Sequence, residues 1–340
     1  MRAVGYQQSR VAGDPLALED ITLPDPQPGP LDLLVRVEAI GVNPVDAKVR
    51  RRDQAAPGAW KVLGWDAAGT VQAIGSAVTG FAVGDRVWYA GALNRPGCNS
   101  ELQLVDARLV ARRPATLSAA EAAALPLTTI TAWELLFDRL RLRQDPSAHR
   151  GEVLLVVGAA GGVGSILVQL ALQLTGLTVV ATASRPESQA WVRQLGVTAV
   201  MDHRQPLAPQ LQALELPPVQ RVISLTHTDH HFEQLVELLA PQGALALIDD
   251  PDPAAINVLA LKRKSLSLHW ELMFTRSLFE TADMAAQGQL LARVAQLVDQ
   301  GRLRSTLKEH LGRINAANLR LAHQRIEGQT VIGKLVLEGW

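Results

Sequence analysis

A glycine-rich turn between an apolar run and a helix-forming segment is the part of this sequence best suited to chemistry. Residues 154–174 read LLVVGAAGGVGSILVQLALQL, with four glycines inside seven residues. Glycine is entropically costly, so its use here predicts that something approaches the backbone too closely for a side chain. Ala159, Gly161 and Gly164 give the pattern A-x-G-x-x-G, and free amides at a helix N-terminus attract a pyrophosphate. The turn predicts a dinucleotide site; the alternative is a tight turn that packs glycines for its own sake.

The end of the next apolar run indicates which dinucleotide would bind. In an NAD site, an acidic residue at the end of the second strand binds the ribose hydroxyls. Here the segment reads TVVATASRPES, and the strand ends without Asp or Glu. Ser184 and Arg185 stand there instead, a hydroxyl and a cation that suit a 2′-phosphate. The sequence therefore predicts NADPH, unless Arg185 is only a solvated residue at a helix start.

Alternating strands and helices are predicted to position this turn. The predicted strands are 152–157, 178–183, 197–201, 220–225, 244–248 and 265–270. Six such units joined by right-handed crossovers predict an α/β fold with a doubly wound, Rossmann-type parallel sheet. The earlier part of the chain has short alternating runs with frequent Gly and Pro, which predict a β-rich domain.

The remaining segments predict how the chain is divided. A helix near 283–300, a strand near 308–314, a helix at 315–327 and a strand at 333–339 follow the sheet. The two late strands have no place in a six-stranded sheet, so we expect them to rejoin the N-terminal domain. The predicted organisation is a β-rich domain at 1–126, a dinucleotide-binding domain at 127–272 and a returning segment at 273–340.

Composition argues against several classes of function. The 340 residues suffice for two domains, each with its own core. The 33 basic and 33 acidic residues cancel, which gives no support for binding to nucleic acid or to an anionic membrane. The one cysteine, Cys98, allows neither an intramolecular disulfide nor a thiolate-rich zinc site. With no signal peptide and no apolar stretch of membrane-spanning length, we expect a soluble cytoplasmic protein.

Five strings in a fixed order resemble a known family. These strings are AIGVNPVDAKVR, LGWDAAGTVQAIG, FAVGDRVW, GAAGGVGS and GKLVLEG. They resemble the medium-chain dehydrogenase/reductases, and most closely the quinone oxidoreductase-like branch often labelled zinc-type alcohol dehydrogenase-like. The similarity runs over essentially the whole chain. It implies a GroES-like catalytic domain, built from both chain ends, together with a Rossmann domain.

The resemblance also gives the positions at which zinc-containing members hold their catalytic metal. The first two positions fall on Asn43 and Trp65, and the third falls near Leu127. An amide, an indole and an isobutyl group cannot make a zinc site. The loop that would carry a four-cysteine structural zinc lobe is reduced to YAGALNRPGCN. We therefore predict that the chain holds no metal.

Without a metal, direct interconversion of alcohol and ketone lacks its Lewis acid. Hydride delivery to the β-carbon of an α,β-unsaturated carbonyl is easier to support, because hydrogen-bond donors can stabilise the enolate oxygen. The resemblance also implies NADPH-dependent reduction of enones or quinones. The predicted catalytic residues are Asn43, Tyr89 and Thr131. Asn43 would hydrogen-bond the substrate oxygen or the nicotinamide ribose, and Tyr89 would act as a hydrogen-bond donor. Thr131 matches a threonine that lies beside the nicotinamide in the resembling family. Two alternatives remain: Asn43 only secures the NPVD turn, and Tyr89 is a residue at the rim of the barrel.

The other predicted contacts belong to the cofactor and to the walls of a substrate pocket. The predicted cofactor contacts are Ala160, Gly161, Gly162, Val163, Gly164, Ser184, Arg185, Thr131, His227 and Lys334. His227 lies in THTDHHF, where capping and contact with the cofactor edge are expected and metal binding by the clustered histidines is the alternative. Trp65, Trp133 and Phe274 are predicted apolar walls, with ordinary core positions as the alternative.

The last predicted strand of the sheet, 265–270, would be an exposed edge. Edge strands are usually protected, and in the resembling family two such edges pair across a two-fold axis. We therefore expect a homodimer through this strand. Two alternatives to a reductase remain, a zinc alcohol dehydrogenase and an NADPH-binding sensor or structural protein without turnover. The second is suggested by the lack of an evident acid–base residue.

Overall fold

The computed structural model describes residues 1–340 and divides the chain into two units. Unit 1 comprises Met1–Ile130 and Phe274–Trp340, and unit 2 comprises Thr131–Met273. The sequence predicts boundaries at 126/127 and 272/273, and both structural divisions lie slightly later in the chain. None of the helices combines the length and the apolarity needed to cross a membrane.

Unit 1 is β-rich, and its strands come from both of its chain segments. Numbered along the whole chain, these strands are β1 (Arg2–Tyr6), β2 (Glu19–Thr22), β3 (Asp32–Val42), β4 (Lys61–Val62), β5 (Ala67–Ile74), β6 (Arg86–Tyr89), β7 (Leu102–Asp106), β8 (Val110–Arg112), β15 (Leu307–His310) and β16 (Lys334–Glu338). The larger sheet has the order β15-β16-β3-β5-β6-β8, with β7 also paired to β3, and β2-β1-β4 form a smaller sheet. In the antiparallel pair of β16 and β3, Leu335 lies opposite Val42. The last strand is therefore a direct neighbour of β3.

The helices of unit 1 also come from both segments. They are α1 (Pro44–Arg52), α2 (Ala119–Ala123), α3 (Pro126–Trp133, which crosses the division between the units), α8 (Thr275–Leu278), α9 (Ala286–Asp299) and α10 (Ala316–Glu327). A buried arginine joins α1 to α10, because Arg50 Nε donates to His323 Nδ1 at 3.1 Å and its guanidinium also pairs with Glu327. Burial and the neighbouring Arg50 charge lower the pKa of His323 to about 3. The ring is therefore neutral and accepts from Arg50, which fixes α1 relative to the helix that precedes β16.

Unit 2 is a parallel six-stranded sheet with helices between its strands, which confirms the predicted fold class. Its strands are β9 (Val153–Val157), β10 (Thr178–Thr182), β11 (Ala199–Met201), β12 (Val219–Ser224), β13 (Leu239–Leu247) and β14 (Ser267–Trp270). Its helices are α4 (Gly162–Leu174), α5 (Pro186–Gln194), α6 (Leu207–Gln212) and α7 (Thr228–Leu238). The order β11-β10-β9-β12-β13-β14 is that of the doubly wound dinucleotide-binding fold. All five residues of β9 are buried, which explains its uninterrupted apolar sequence.

Two features of unit 2 were not expected in detail. Strand β13 begins at Leu239 rather than at 244, because α7 ends at Leu238 and Pro241 cannot continue a helix.

After α3 the chain forms a π-helical stretch, Glu134–Arg139, and Arg139 Nε donates to the carboxylate of buried Glu271 at 2.8 Å. This ion pair anchors the stretch to the residue that follows β14.

Strand β14 lies at one edge of the sheet and pairs only with β13. It covers Ser267–Trp270, within the predicted 265–270, and Trp270 is 52% exposed. A sheet edge with an exposed indole is suited to pairing with another chain. The homodimer through this edge stays a prediction.

Candidate functional site

The glycine turn of unit 2 connects β9 to α4, at the carboxyl end of a central strand. Gly161 is the N-cap of α4, so the first amides of the helix have no acceptor within it. Gly158, just after β9, has φ +77°, the left-handed region that glycine adopts at least cost. A Cβ at Gly158 would lie 2.6 Å from the methyl carbon of Thr226, so this position is closed to other residues.

The two glycines of the fingerprint differ in what surrounds them. A Cβ at Gly164 would lie 2.5 Å from both the Cα and the carbonyl oxygen of Ala159, so α4 packs on the turn too closely for any side chain. A Cβ at Gly161 would have no neighbour nearer than 3.9 Å, the carbonyl oxygen of Gly158. Gly164 therefore serves packing within the protein, whereas Gly161 borders open space. This open position fits the close approach of a pyrophosphate to the backbone.

The other predicted contacts in the turn lie around this opening. Gly162 and Val163 are partly exposed, and Ala160 is almost buried. The Ser165 hydroxyl donates to the Gly161 carbonyl at 2.7 Å and accepts from Trp191 Nε1 at 2.8 Å. The side chains of Ser165 and Trp191 therefore hold the turn in place through its Gly161 carbonyl.

The end of β10 carries the residues predicted to select the dinucleotide. Ser184 and Arg185 are partly exposed, and Arg185 is the N-cap of α5. A second cation, which the sequence analysis missed, reaches this position: Arg204 donates to the Ser184 carbonyl and pairs with Asp202 at 2.7 Å. Hydrogen bonds from Arg204 lower the pKa of Asp202. The signal in the sequence that could have identified Arg204 is the string MDHR, which begins at the last residue of β11. The ends of neighbouring parallel strands meet at one edge of a sheet, so this string had to lie near the end of β10.

In unit 1, a buried polar cluster surrounds Asn43, the first of the predicted catalytic residues. Lys334 Nζ donates to Asp66 Oδ2 at 2.8 Å and also to Asn43 Oδ1. Asn43 Nδ2 donates to Asp66 Oδ2 at 3.1 Å and more weakly to the Gly41 carbonyl at 3.4 Å. Asp66 Oδ1 accepts from the backbone N–H of Leu127 at 3.1 Å. Both ends of the Asn43 amide and two hydrogens of the Lys334 ammonium are thus used inside the protein.

Asp46 adds a second carboxyl group to this cluster. Its Oδ2 accepts from the backbone N–H of Asn43 at 2.6 Å, which closes the NPVD turn, while its buried Oδ1 has no hydrogen-bond partner. Burial raises the pKa of Asp46 to about 7. Burial also raises the pKa of Asp66, against the opposing charge of Lys334. The sequence analysis missed Asp66 as a site residue, although it stands in the quoted GWD string next to the second zinc position.

Several predicted site residues are buried in the interior of their own unit. Tyr89 is fully buried, and its hydroxyl donates to Gln103 Oε1 at 2.9 Å. Burial raises the pKa of the Tyr89 hydroxyl well above its usual value. Trp65 and Phe274 pack edge to face with ring centres 6.1 Å apart, and Trp65 Nε1 donates to the Ala92 carbonyl. Trp65 and Phe274 thus have the contacts of core residues, the alternative given for them, whereas Tyr89 is buried more deeply than the barrel-rim alternative implies.

The remaining predicted residues lie in unit 2. Trp133 packs edge to face on Phe137 with ring centres 4.8 Å apart, and Thr131 is buried in the last turns of α3. His227 has φ +48°, and its Nδ1 lies 2.7 Å from Thr226 Oγ1.

No group of three or more His, Cys, Asp and Glu side chains is arranged to hold a metal ion. Cys98 of unit 1 is buried, and burial raises the pKa of its thiol.

Comparisons with known proteins agree with this architecture. The model of the alcohol dehydrogenase GroES-like domain matches residues 29–115, and the model of the zinc-binding dehydrogenase family matches residues 195–337. A zinc-type alcohol dehydrogenase-like protein of Staphylococcus aureus strain MSSA476 is 40% identical over 317 residues, 92% of each chain. A quinone oxidoreductase of Pseudomonas aeruginosa is 32% identical over 327 residues, 94% of this chain and 96% of the relative.

Solved structures give the same result. The crystal structure of a putative zinc-dependent alcohol dehydrogenase from Rhizobium etli CFN 42 has a TM-score of 0.95 and 54% identity, and the match covers 100% of this chain and 98% of that one. A mycobacterial protein solved in complex with NADPH has a TM-score of 0.82 and 27% identity, with 99% of both chains covered. The whole-length identity to the bacterial relatives, together with the two family models, shows that this chain belongs to the medium-chain dehydrogenase/reductase superfamily of oxidoreductases.

Proposed function

We propose that this chain is an NADPH-dependent, zinc-independent reductase of α,β-unsaturated carbonyl compounds or quinones. The glycine turn carries the proposal, because Gly161 leaves room for a ligand against the backbone at the N-terminus of α4. The absence of an acidic residue at the end of β10, where Ser184 and Arg185 stand, favours the phosphorylated coenzyme. The NADPH complex of the mycobacterial structural neighbour and the quinone oxidoreductase among the relatives support the same choice.

In this proposal each part of unit 2 has a defined task. The amides of residues 161–164 bind the pyrophosphate, and Ser184 and Arg185 bind the 2′-phosphate. Thr131 is proposed to lie along the nicotinamide half, and His227 is proposed to contact the edge of the cofactor. A bound reduced nicotinamide supplies the hydride for the β-carbon of the substrate.

In unit 1, the polar cluster is proposed to set the electrostatics of the reaction. Lys334 is a buried cation paired with Asp66 at 2.8 Å, and in a site of low dielectric this pair is proposed to stabilise negative charge that develops on the ammonium side. Asn43, whose amide hydrogens are already used, contributes by holding the Lys334 ammonium rather than by donating to the substrate. Tyr89 is left out of this mechanism, because its hydroxyl hydrogen is used by Gln103.

The names of several relatives imply zinc, and the side chains at the corresponding positions do not fit it. The Asn43 oxygen accepts from Lys334, so a metal ion there would lie against a cation. The indole nitrogen of Trp65 is a donor and cannot ligate, and Leu127 has no donor atom. The proposed reaction therefore involves no metal ion.

The proposal is tested by NADPH oxidation with a panel of enones, quinones and aldehydes, followed at the absorbance of the reduced coenzyme. We expect turnover of enones or quinones with NADPH, much slower turnover with NADH, and no loss of rate after dialysis against a chelator. Metal analysis of protein purified without added zinc should show less than one zinc per chain. Aldehyde reduction that needs zinc would instead support the alcohol dehydrogenase alternative. Tight NADPH binding without turnover of any substrate would support the sensor alternative.

Replacing Arg185 with Gln is expected to raise the KM for NADPH about 10-fold and to leave the KM for NADH unchanged. The reason is that one charge-assisted hydrogen bond to a phosphate contributes about 1.5–3 kcal/mol. Arg193→Gln is the matched control, since Arg193 is exposed on the same helix, α5. An equal rise for both coenzymes would contradict a 2′-phosphate contact at Arg185.

The assembly and compartment belong to the same proposal. We infer a cytoplasmic homodimer that pairs through the edge strand β14, because this edge presents unpaired backbone groups and the exposed Trp270.

A further inference from the structure

Four of the eight histidines of the chain lie together in unit 2. His203 follows β11, His227 caps α7 after β12, and His230 and His231 lie in the first turn of α7. The ring centres of His203 and His231 are 5.7 Å apart, and those of His227 and His230 are 5.6 Å apart. This histidine cluster therefore lies where the carboxyl ends of the strands define the ligand crevice of open α/β sheets.

One hydrogen-bonded path and one steric contact join the histidine cluster to the first glycine of the turn. The Gly158 amide donates to Thr182 Oγ1 at 3.1 Å, and this hydroxyl lies 3.0 Å from His203 Nδ1. On the other side, Thr226 Oγ1 lies 2.7 Å from His227 Nδ1, and the methyl group of Thr226 fills the space beside Gly158. The histidines on both sides thus contact residues that shape the turn directly.

The surroundings of the cluster keep its buried rings uncharged when no anion is present. Burial lowers the pKa of His203, and His227 and Arg204 lower it further, while Asp202 opposes them. Burial likewise lowers the pKa of His231, with added repulsion from the other three histidines and opposition from Asp229. Nδ1 of His231 is buried and has no hydrogen-bond partner within the protein. An anion placed beside these rings would favour their charged forms.

We propose that the histidine cluster is a subsite for the phosphate-bearing adenosine end of the cofactor, with His203 and His231 as its proton-linked members. The inference rests on the proposed function, because it needs NADPH in the crevice of unit 2. The ligand raises the affinity of His203 and His231 for protons, so by linkage protons raise the affinity for the ligand. NADPH therefore binds more tightly as the pH falls from about 8 to 6.5. Near pH 6 the 2′-phosphate itself begins to take up a proton, which limits the useful window.

Isothermal titration of the full-length protein with NADPH at about pH 8 and 6.5, at constant ionic strength, tests the subsite. One bound proton changes affinity at most 10-fold per pH unit, so we expect the Kd to fall about 3–10-fold across this window. Parallel titrations in two buffers of different ionisation enthalpy should show a net uptake of protons on binding. NADH, which lacks the 2′-phosphate, should show a smaller change in Kd and a smaller uptake.

Substitutions assign the effect to the cluster. In His203→Gln/His231→Gln we expect a change in Kd of less than about 2-fold over the same window and little proton uptake. His310→Gln, on the exposed strand β15 of unit 1, is the control and should behave as the unsubstituted protein. His227→Asn is a second variant, since Asn tolerates the left-handed backbone at this position. It removes the repulsion by which His227 lowers the pKa of His203 and His231, so it should also lower the proton uptake.

The outcomes separate the subsite from the cofactor assignment. Equal pH dependence and proton uptake in the unsubstituted protein, the double variant and His227→Asn would overturn the subsite and leave the proposed function intact. Failure of NADPH to bind at either pH would overturn the proposed function and the subsite with it. Should the double variant not fold, as judged by circular dichroism, unchanged proton uptake in His227→Asn alone overturns the proposal.

Discussion

Replacing Lys334 with Met is expected to destabilise unit 1 by about 3–5 kcal/mol, because it leaves a buried carboxyl group without its counter-charge. Lys334 and Asp66 are 3% and 0% exposed, and the ammonium also bonds to Asn43. Without the ammonium, Asp66 must either stay ionised in the interior or take up a proton. Differential scanning calorimetry at pH 7 measures the loss as a lower unfolding temperature.

Two further variants separate the ion pair from general disruption of the strand. Lys308→Met, on neighbouring β15, removes an exposed lysine and should change stability by less than about 0.5 kcal/mol. The double variant Asp66→Asn/Lys334→Met replaces both charges and should recover a large part of the loss, since paired removal avoids the uncompensated charge. Asp66→Asn is measured alone as the second reference, and a double variant as unstable as the sum of Asp66→Asn and Lys334→Met would show that the pair has no coupling.

Replacing Gly164 with Ala is expected to abolish NADPH binding and to cost unit 2 about 3 kcal/mol, at the upper end of what overpacking costs. The new Cβ would meet the backbone of Ala159, 2.5 Å away, rather than a side chain that can rotate aside. Helix α4 must then move away from the end of β9. Calorimetry and NADPH titration both report this displacement.

Gly161→Ala is the matched comparison within the same turn. Gly161 has φ −74° and open space beside it, so alanine fits the apo fold and should leave stability unchanged or slightly raised. The methyl group would occupy the space proposed for the pyrophosphate, so the Kd for NADPH should rise about 10–100-fold, 1.4–2.8 kcal/mol. Normal NADPH affinity in Gly161→Ala would place the pyrophosphate elsewhere.

The elements of unit 2 were predictable because local patterns determine them. A parallel strand buried on both faces reads as an uninterrupted apolar run, and β9 is such a run followed by its glycine turn. The order of the sheet then follows from the regular alternation of strands and helices. The start of β13 was less predictable, because Leu239 continues the apolar pattern of α7 and only Pro241 marks the change.

The polar contacts were not predictable in the same way, because they join residues far apart in the chain. The sequence analysis places Lys334 among the cofactor contacts and does not indicate its bond to Asp66, which spans 268 positions. Tyr89 ends an apolar run in β6, and that run does not indicate that Gln103 will take its hydroxyl hydrogen. Arg204 reaches the Ser184 carbonyl 20 positions earlier in the chain. Side-chain partners across a sheet depend on three-dimensional register, which hydrophobic periodicity does not encode.

The pairing of β3 with β16 affects the order in which the chain can fold during its synthesis on the ribosome. All of unit 2 is one continuous stretch, so it can complete its sheet as soon as its own residues have been translated. The edge of β3 must wait for residues 334–338, an interval of about 15–60 s at translation rates of about 5–20 residues per second. Throughout that interval Asn43 and Asp66 stay without Lys334, so the nascent N-terminal segment is exposed to aggregation and to chaperones until translation is nearly complete.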